Sequence, residues 1–312
     1  MKTLSGFWRK TLLALIIVIG FTGYQTCEAS GPSLDIQDRG YARNDLLVSV
    51  DWLKNNLENN QLLLIDTRSK DAYANGHIPG AIHVDWKVFS DMKAPRGKGF
   101  AVLLGVEQLT EKFQAYGLEP GRTIVVYADP SGWGEDGRVV WMLRMAGLTD
   151  SKILDGGWPA WKNGGGTVTR EETLPPSGTC EIDNYDTDML ATTEWMRAEF
   201  EKIKILDVRT KKEFDGATDY KEPRGGHITG AIHIPWTDFL NVDSTVKSQM
   251  EIEEILARSG IEKDDFIVTY CTSGIRSAHT ALVLRMAGFE KAKNYDASIN
   301  EWGAFEDLPM EK

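Results

Sequence analysis

Cysteine is scarce in this chain: 3 in 312 residues, Cys27, Cys180 and Cys271. So few exclude a disulfide-stapled scaffold. Histidine is also sparse, at 5, and no Cys/His cluster has zinc-ligand spacing. The sequence therefore offers no zinc site. Basic runs are missing, and the formal net charge is −11. An acidic chain without a basic patch argues against nucleic acid as a partner.

Long apolar runs are confined to the amino terminus. Lys2, Arg9 and Lys10 precede an unbroken apolar stretch over residues 12–19, and Cys27-Glu28-Ala29 places small residues around a cleavage point. Residues 1–29 read as a secretory signal peptide, too short for a comfortable membrane span. An uncleaved anchor and a lipoprotein carrying lipid on Cys27 are the alternatives. Cleavage before Ser30 would move the charge from −11 to −13, since three cations and one anion leave. The expected location is periplasmic or extracellular, with membrane contact only through an uncleaved signal. The expected state is a monomer.

What remains is ordinary globular material, 42% hydrophobic and 26% charged, with the length of about two domains. It contains a duplication. Leu64-Ile65-Asp66-Thr67-Arg68 recurs as Ile205-Leu206-Asp207-Val208-Arg209. Gly76-His77-Ile78-Pro79-Gly80-Ala81 recurs as Gly226-His227-Ile228-Thr229-Gly230-Ala231, and Leu143-Arg144-Met145-Ala146-Gly147 as Leu284-Arg285-Met286-Ala287-Gly288. Trp86 and Trp236 match, as do Asp155 with Trp161 and Asp296 with Trp302. The reading is domain one over 30–172, a linker over 173–190 and domain two over 191–312.

Strands are expected over 62–65, 123–127, 203–206 and 266–270. Helical spacing covers 49–57, 107–116, 138–146, 192–202 and 248–259, with Ser49, Thr193 and Ser248 as N-caps. Alternating strands and helices predict an α/β fold, two tandem domains each built on a mainly parallel sheet flanked by helices. Functional loops in such sheets lie at the strands' carboxyl ends.

Cys271 falls at such an end. The strand Phe266-Ile267-Val268-Thr269-Tyr270 precedes it, the loop Cys271-Thr272-Ser273-Gly274-Ile275-Arg276 follows, and a helix is expected from Ser277. Backbone N–H groups and a helix dipole then favour the thiolate, the nucleophilic form. The dipole supplies only about 0.3–1 kcal/mol, whereas one pKa unit is about 1.4 kcal/mol. A curled loop and Arg276 would have to complete the activation. The alternative is a small buried residue at a strand end. Cys180 lies in a loop-like stretch, and pairing with Cys271 is a further possibility in an oxidising compartment.

These strings resemble the rhodanese family: the Asp-x-Arg run, the Gly-His-Ile-x-Gly-Ala turn, and the Cys loop between strand and helix. Leu154-Asp155-Gly156-Gly157 and Asp296-Ala297-Ser298-Ile299-Asn300-Glu301-Trp302 are similar to segments of two-domain sulfurtransferases. The resemblance spans about residues 44–310. It implies that domain two is catalytic and domain one a degenerate partner. Consistent with that, Ala128 stands where domain two has Cys271, and the domain-one loop is two residues longer between Tyr127 and Arg144. Four residues separate Cys271 from Arg276, as in sulfurtransferases; related phosphatases and arsenate reductases use five.

The implied chemistry is transfer of a sulfane sulfur from thiosulfate to cyanide or a thiol through a Cys271 persulfide. The N–H groups of Thr272, Ser273, Gly274, Ile275, Arg276 and Ser277 would stabilise it. Small sulfur anions are the implied donors. Mercaptopyruvate, polysulfide or a selenium or tellurium oxyanion, and a non-enzymatic sulfur carrier or interaction module of the cell envelope, stay open. Asp207 and Arg209 are supporting residues. Glu213 departs from the family, which places a substrate-gripping Arg there. An acid would repel an anion unless neutralised, so a Glu213–Arg276 pair is expected to orient the loop. Arg224, Lys211 and Lys212 are alternative anion-binding groups. Asp129, Glu135 and Asp136 are expected to be structural or to line a domain interface. His77 and His227 should brace turns, His83 and His233 should be packed, and His279 lies too far along its helix for a general base. The ten tryptophans are assigned to core and interface.

Overall fold

The computed structural model describes residues 34–94 and 97–312. The expected signal peptide, residues 1–29, lies outside them. Among the described residues no helix is long and apolar enough to cross a membrane.

Domain one contains β1 (Leu47–Val48), α1 (Val50–Asn56), β2 (Leu62–Asp66), α2 (Lys70–Asn75), β3 (Ala81–His83), α3 (Val106–Ala115), β4 (Thr123–Tyr127), α4 (Glu135–Met145), β5 (Ser151–Leu154) and α5 (Gly157–Asn163). Domain two contains β6 (Leu190–Ala191), α6 (Thr193–Glu199), β7 (Ile203–Asp207), α7 (Lys211–Phe214), β8 (His227–Ile228), β9 (Ile232–His233), α8 (Gln249–Arg258), β10 (Phe266–Tyr270), α9 (Ile275–Met286), β11 (Ala292–Tyr295), α10 (Ser298–Trp302) and β12 (Met310–Glu311). The main sheets have orders β1-β5-β4-β2-β3 and β6-β11-β10-β7-β9. Every pairing within them is parallel. Helices cover both faces, so Ile124–Tyr127 and Ile267–Tyr270 are fully buried continuous runs rather than alternating ones.

The repeated strings do the same structural work twice. Asp66 takes the backbone N–H and Nε of Arg68, and the Arg68 Nη2 donates to the Gly76 carbonyl at 2.8 Å. Asp207, Arg209 and Gly226 repeat this with the same 2.8 Å bond. Tyr127 and Tyr270 each accept the N–H of the turn isoleucine, Ile78 or Ile228, at 3.1 Å. His77 and His227 bond to the carbonyls of Tyr73 and Phe214, bracing the turns, while His83 and His233 bond to the carbonyls of Arg68 and Arg209.

Several boundaries differ from expectation. The N-cap of α6 is Thr192, whose hydroxyl accepts the Trp195 N–H; Thr193 instead joins Tyr295 and Glu301. Strand β6 already opens at Leu190, inside the expected linker. Helices α4 and α9 begin at Glu135 and Ile275, earlier than the apolar spacing indicated, because glycines in left-handed conformation start them.

One buried cluster spans the two domains, and each domain has a further cluster of its own. Helix α4 packs on α9, and Val140, Trp141, Ala278, Leu282 and Val283 belong to a single buried cluster. Gly137 makes the close approach possible: a Cβ there would stand 2.5 Å from the Cβ of His279. Pseudo-symmetric hydrogen bonds lock the contact. Asp155 accepts the Val246 N–H at 2.9 Å, and Asp296 accepts the Leu103 N–H at 2.8 Å. Residues 34–43, expected within domain one, reach across to domain two. Arg39 pairs with Asp155 at 2.6 Å and donates to the Val246 carbonyl, and the Arg43 N–H bonds to the Met286 carbonyl.

Candidate active site

Strand β10 ends at Tyr270, whose hydroxyl donates to Asp207 at 2.5 Å. Asp207 and Arg209 thus lie beneath the strand end that delivers Cys271. The loop then turns through Gly274, at φ 77°. A Cβ on Gly274 would lie 2.4 Å from the Asp296 carbonyl oxygen, so both conformation and space demand glycine.

Ser298 sets the curl of the loop. Its hydroxyl accepts the N–H groups of both Cys271 and Gly274, at 3.1 and 3.0 Å. It does so from φ 54°, an uncommon conformation for a residue with a Cβ. The Gly274 N–H is therefore turned toward Ser298, a correction to the cradle expected from residues 272–277. The groups acting on the sulfur include the Arg276 charge, the Ser277 hydroxyl, 3.6 Å from Sγ, and the Ser277 and Ser273 N–H. Asn300 donates to the Ser273 hydroxyl at 2.7 Å.

Arg276 lies in the first turn of α9, and its guanidinium is gripped by Glu213 through two bonds of 2.8 and 2.7 Å. Glu213 also accepts the Thr272 hydroxyl and, through its capping box, Thr210. Both members of the pair are almost fully buried. Burial pushes the Glu213 carboxyl up, but Arg276 and Thr210 hold it down at about 2. The acid is therefore neutralised, and the pair expected from the sequence is present.

Burial likewise pushes the Cys271 thiol up. The Arg276 charge, the Ser277 hydroxyl and the two N–H groups outweigh it, and the net direction is down. Cys180, by contrast, is pushed up by burial and by Glu119 and Glu181. Both thiols are free.

Cys271 forms the floor of a cavity of about 200 Å³. Domain two supplies Tyr220, Thr272, Ser273, Ile275 and Arg276; domain one supplies Trp86, Lys87, Met92, Phe100 and Trp133. Trp86 is buried in the core and Trp133 sits at the domain interface, as assigned, and both also wall the cavity. Trp133 comes from the longer, cysteine-less loop of domain one. Its ring lies 4.8 Å from the Arg276 guanidinium and edge-on to Tyr220 at 5.3 Å.

Arg224, Lys211 and Lys212 do not line this cavity. Arg224 is spent on the carbonyls of Trp302, Gly303, Phe305 and Leu308. Lys211 and Lys212 pair with Asp215 and Asp219 at the surface. The cation requirement is met by Arg276, inside the loop itself. Asp129 holds its own loop through Ser131, and Glu135 accepts the Trp133 N–H. Asp136 and His279 line a second, interdomain cavity away from the sulfur. Among the described residues no group of His, Cys, Asp and Glu is placed to hold a metal ion.

Sequence reasoning missed Arg138. Fully buried in α4 of domain one, it pairs with Asp296 and donates to the Gly274 carbonyl at 3.2 Å and to Ala101 at 2.9 Å. The signal was present: Arg138 occupies the position of His279 in the repeat, an unmatched cation facing a repeated Asp.

The profile of the Rhodanese-like domain matches residues 49–164 and 192–305. The chain belongs to the rhodanese family. It is 32% identical over 287 residues to "Sulfur carrier protein TtuD" of Thermus thermophilus, covering 88% of this chain and 99% of that one. It is 30% identical to "Putative thiosulfate sulfurtransferase" of Mycolicibacterium smegmatis, covering 86% and 99%. In fold it resembles an anaerobic ergothioneine biosynthesis enzyme from Chlorobium limicola, with a TM-score of 0.77 at 21% identity, covering 87% of this chain and 71% of that one.

Proposed function

We propose that this rhodanese is a sulfurtransferase that takes a sulfane sulfur from thiosulfate onto Cys271 and passes it to a thiol or cyanide. The Cys271 thiolate attacks the outer sulfur of thiosulfate; the S–S bond breaks, sulfite leaves with the electron pair, and Cys271 carries a persulfide. An acceptor nucleophile then attacks that outer sulfur, and the pair returns to Sγ. Covalent catalysis divides one transfer into two steps. The observation that carries this reading is the depressed thiol at the cavity floor, held by Arg276, Ser273 and Ser277.

Intact-mass measurement after thiosulfate should show a gain of one sulfur, removed by cyanide with release of thiocyanate. Cys271→Ala should abolish both while staying folded. Thiocyanate formation by that variant would refute the assignment. A relative named as a sulfur carrier favours a second reading, a carrier that is loaded but turns over slowly. A stable persulfide with negligible steady-state rate would select it.

We also read residues 1–29 as an export signal, on the basic start, apolar run and small residues at 27 and 29, and the mature protein as a periplasmic or extracellular monomer. Terminal sequencing and sizing of protein recovered outside the cytoplasm test this; a chain retained whole in the cytoplasm overturns it.

A further inference from the structure

The cavity over Cys271, at about 200 Å³, is larger than thiosulfate or cyanide needs, and its described lining is mainly apolar. Its walls are Trp86, Met92, Phe100, Trp133, Tyr220 and Ile275. Both described lining cations already face carboxylates: Arg276 meets Glu213 at 2.7 Å, and Lys87 meets Asp85 at 3.0 Å. Among the described lining residues, therefore, neither cation lacks a carboxylate partner. A cavity of about 150 Å³ lined by apolar side chains accommodates a benzene ring. The roughly 200 Å³ here leaves room for such a body with its sulfur directed at Cys271.

Trp133 gives that wall its definition. Its loop is fixed by the Ser131 N–H and hydroxyl on Asp129, the Gly132 N–H on the Asp129 carbonyl, and the Trp133 N–H on Glu135. The indole is held against Arg276 and Tyr220 and lines the cavity, yet remains 37% exposed. An aromatic held this way, with an apolar body and little entropy left to lose, is the usual anchor for an apolar ligand.

We propose that the sulfur acceptor is an organic thiol with an apolar, ring-sized body and no carboxylates, seated between Trp133 and Trp86–Phe100, with Trp133 as the specificity-determining residue. This rests on the persulfide mechanism above. In the transfer, the acceptor thiolate attacks the outer sulfur of the Cys271 persulfide. A new S–S bond forms on the acceptor, the Sγ–S bond breaks, and its electron pair restores the Cys271 thiolate. The acceptor leaves as an organic hydropersulfide, and no external oxidant or reductant is needed.

The test uses the full chain preloaded with thiosulfate. Discharge is followed by stopped-flow and mass measurement with 2-phenylethanethiol, 2-mercaptoethanol, glutathione and cyanide. The aromatic thiol should show kcat/KM at least about tenfold above both hydrophilic thiols, about one pKa unit's worth of free energy. In Trp133→Ala the ratio of 2-phenylethanethiol to cyanide should fall about tenfold, chiefly through KM, and Trp133→Leu should recover part of it. Equal or faster discharge by glutathione, or an unchanged ratio in a folded Trp133→Ala, overturns the proposal. Failure to load sulfur at all would instead sink the persulfide reading, so the two failures are distinct.

Discussion

Arg138, in the domain without a cysteine, donates a hydrogen bond to the carbonyl of Gly274, three residues beyond Cys271. The same guanidinium holds Asp296, at the start of the segment that carries Ser298. One buried side chain from domain one therefore fixes both halves of the thiolate loop in domain two.

Removing it should cost more than stability. Arg138→Leu leaves Asp296 buried without its partner, a loss of about 3–5 kcal/mol. In protein that remains folded, kcat/KM for thiosulfate should fall roughly 10–100-fold, because small misplacements of reacting groups are costly. The pH profile of Cys271 alkylation should move upward as the loop relaxes, and Arg138→Lys should recover part of the rate. A folded Arg138→Leu with the parent rate and alkylation profile would show that the arginine is only structural.

Glu213 governs behaviour in acid. Its carboxyl is depressed to about 2, so its pairing stabilises the fold above the unfolded value of about 4.3 and is lost as pH falls toward 2. The group is deeply buried, and the contribution at neutral pH is on the order of 3 kcal/mol. Glu213→Gln should lower the melting temperature at pH 7 and remove that part of the acid dependence. It should also slow thiosulfate turnover by about tenfold or more, since Arg276 and Thr272 lose their anchor. Unchanged rate and pH profile would disprove the orienting role.

Asp136 and His279 set opposing slopes at the interface. Burial pushes the Asp136 carboxyl up to about 7, so its contribution to stability falls as pH rises from about 4 to 7. Burial pulls His279 down to about 4, so its contribution falls as pH drops from about 6.5 to 4. Relative to the parent protein, Asp136→Asn should gain stability with rising pH, and His279→Asn with falling pH, each on the order of 3 kcal/mol. Urea unfolding at several pH values reads both; parallel curves for parent and variants would contradict the assignment.

The fold was legible because the duplication displays its constraints twice. Asp-x-Arg and Gly-His-Ile recur because each copy must close the same turn with the same buried pair. Cys271 stood out because its counterpart is Ala128, and the Glu213–Arg276 pair followed from one charge standing where the family has the opposite one. The cavity walls were not legible. Trp133 and Trp86 are remote in sequence from Cys271, and only the docking of α4 on α9 brings them over it. The misjudgement of Arg224 has a similar origin: sequence shows a cation near the loop, not the four carbonyls that consume it. Ser298 was visible within a repeated segment, but its service to two N–H groups depends on a positive φ that no residue pattern announces.

The crossing of residues 34–43 onto domain two, and of Arg138 beneath its loop, makes each half depend on the other. The copy with Ala128 supplies a wall, a brace and part of a shared core to the copy with Cys271. Either half expressed alone should therefore expose apolar surface that the whole chain buries.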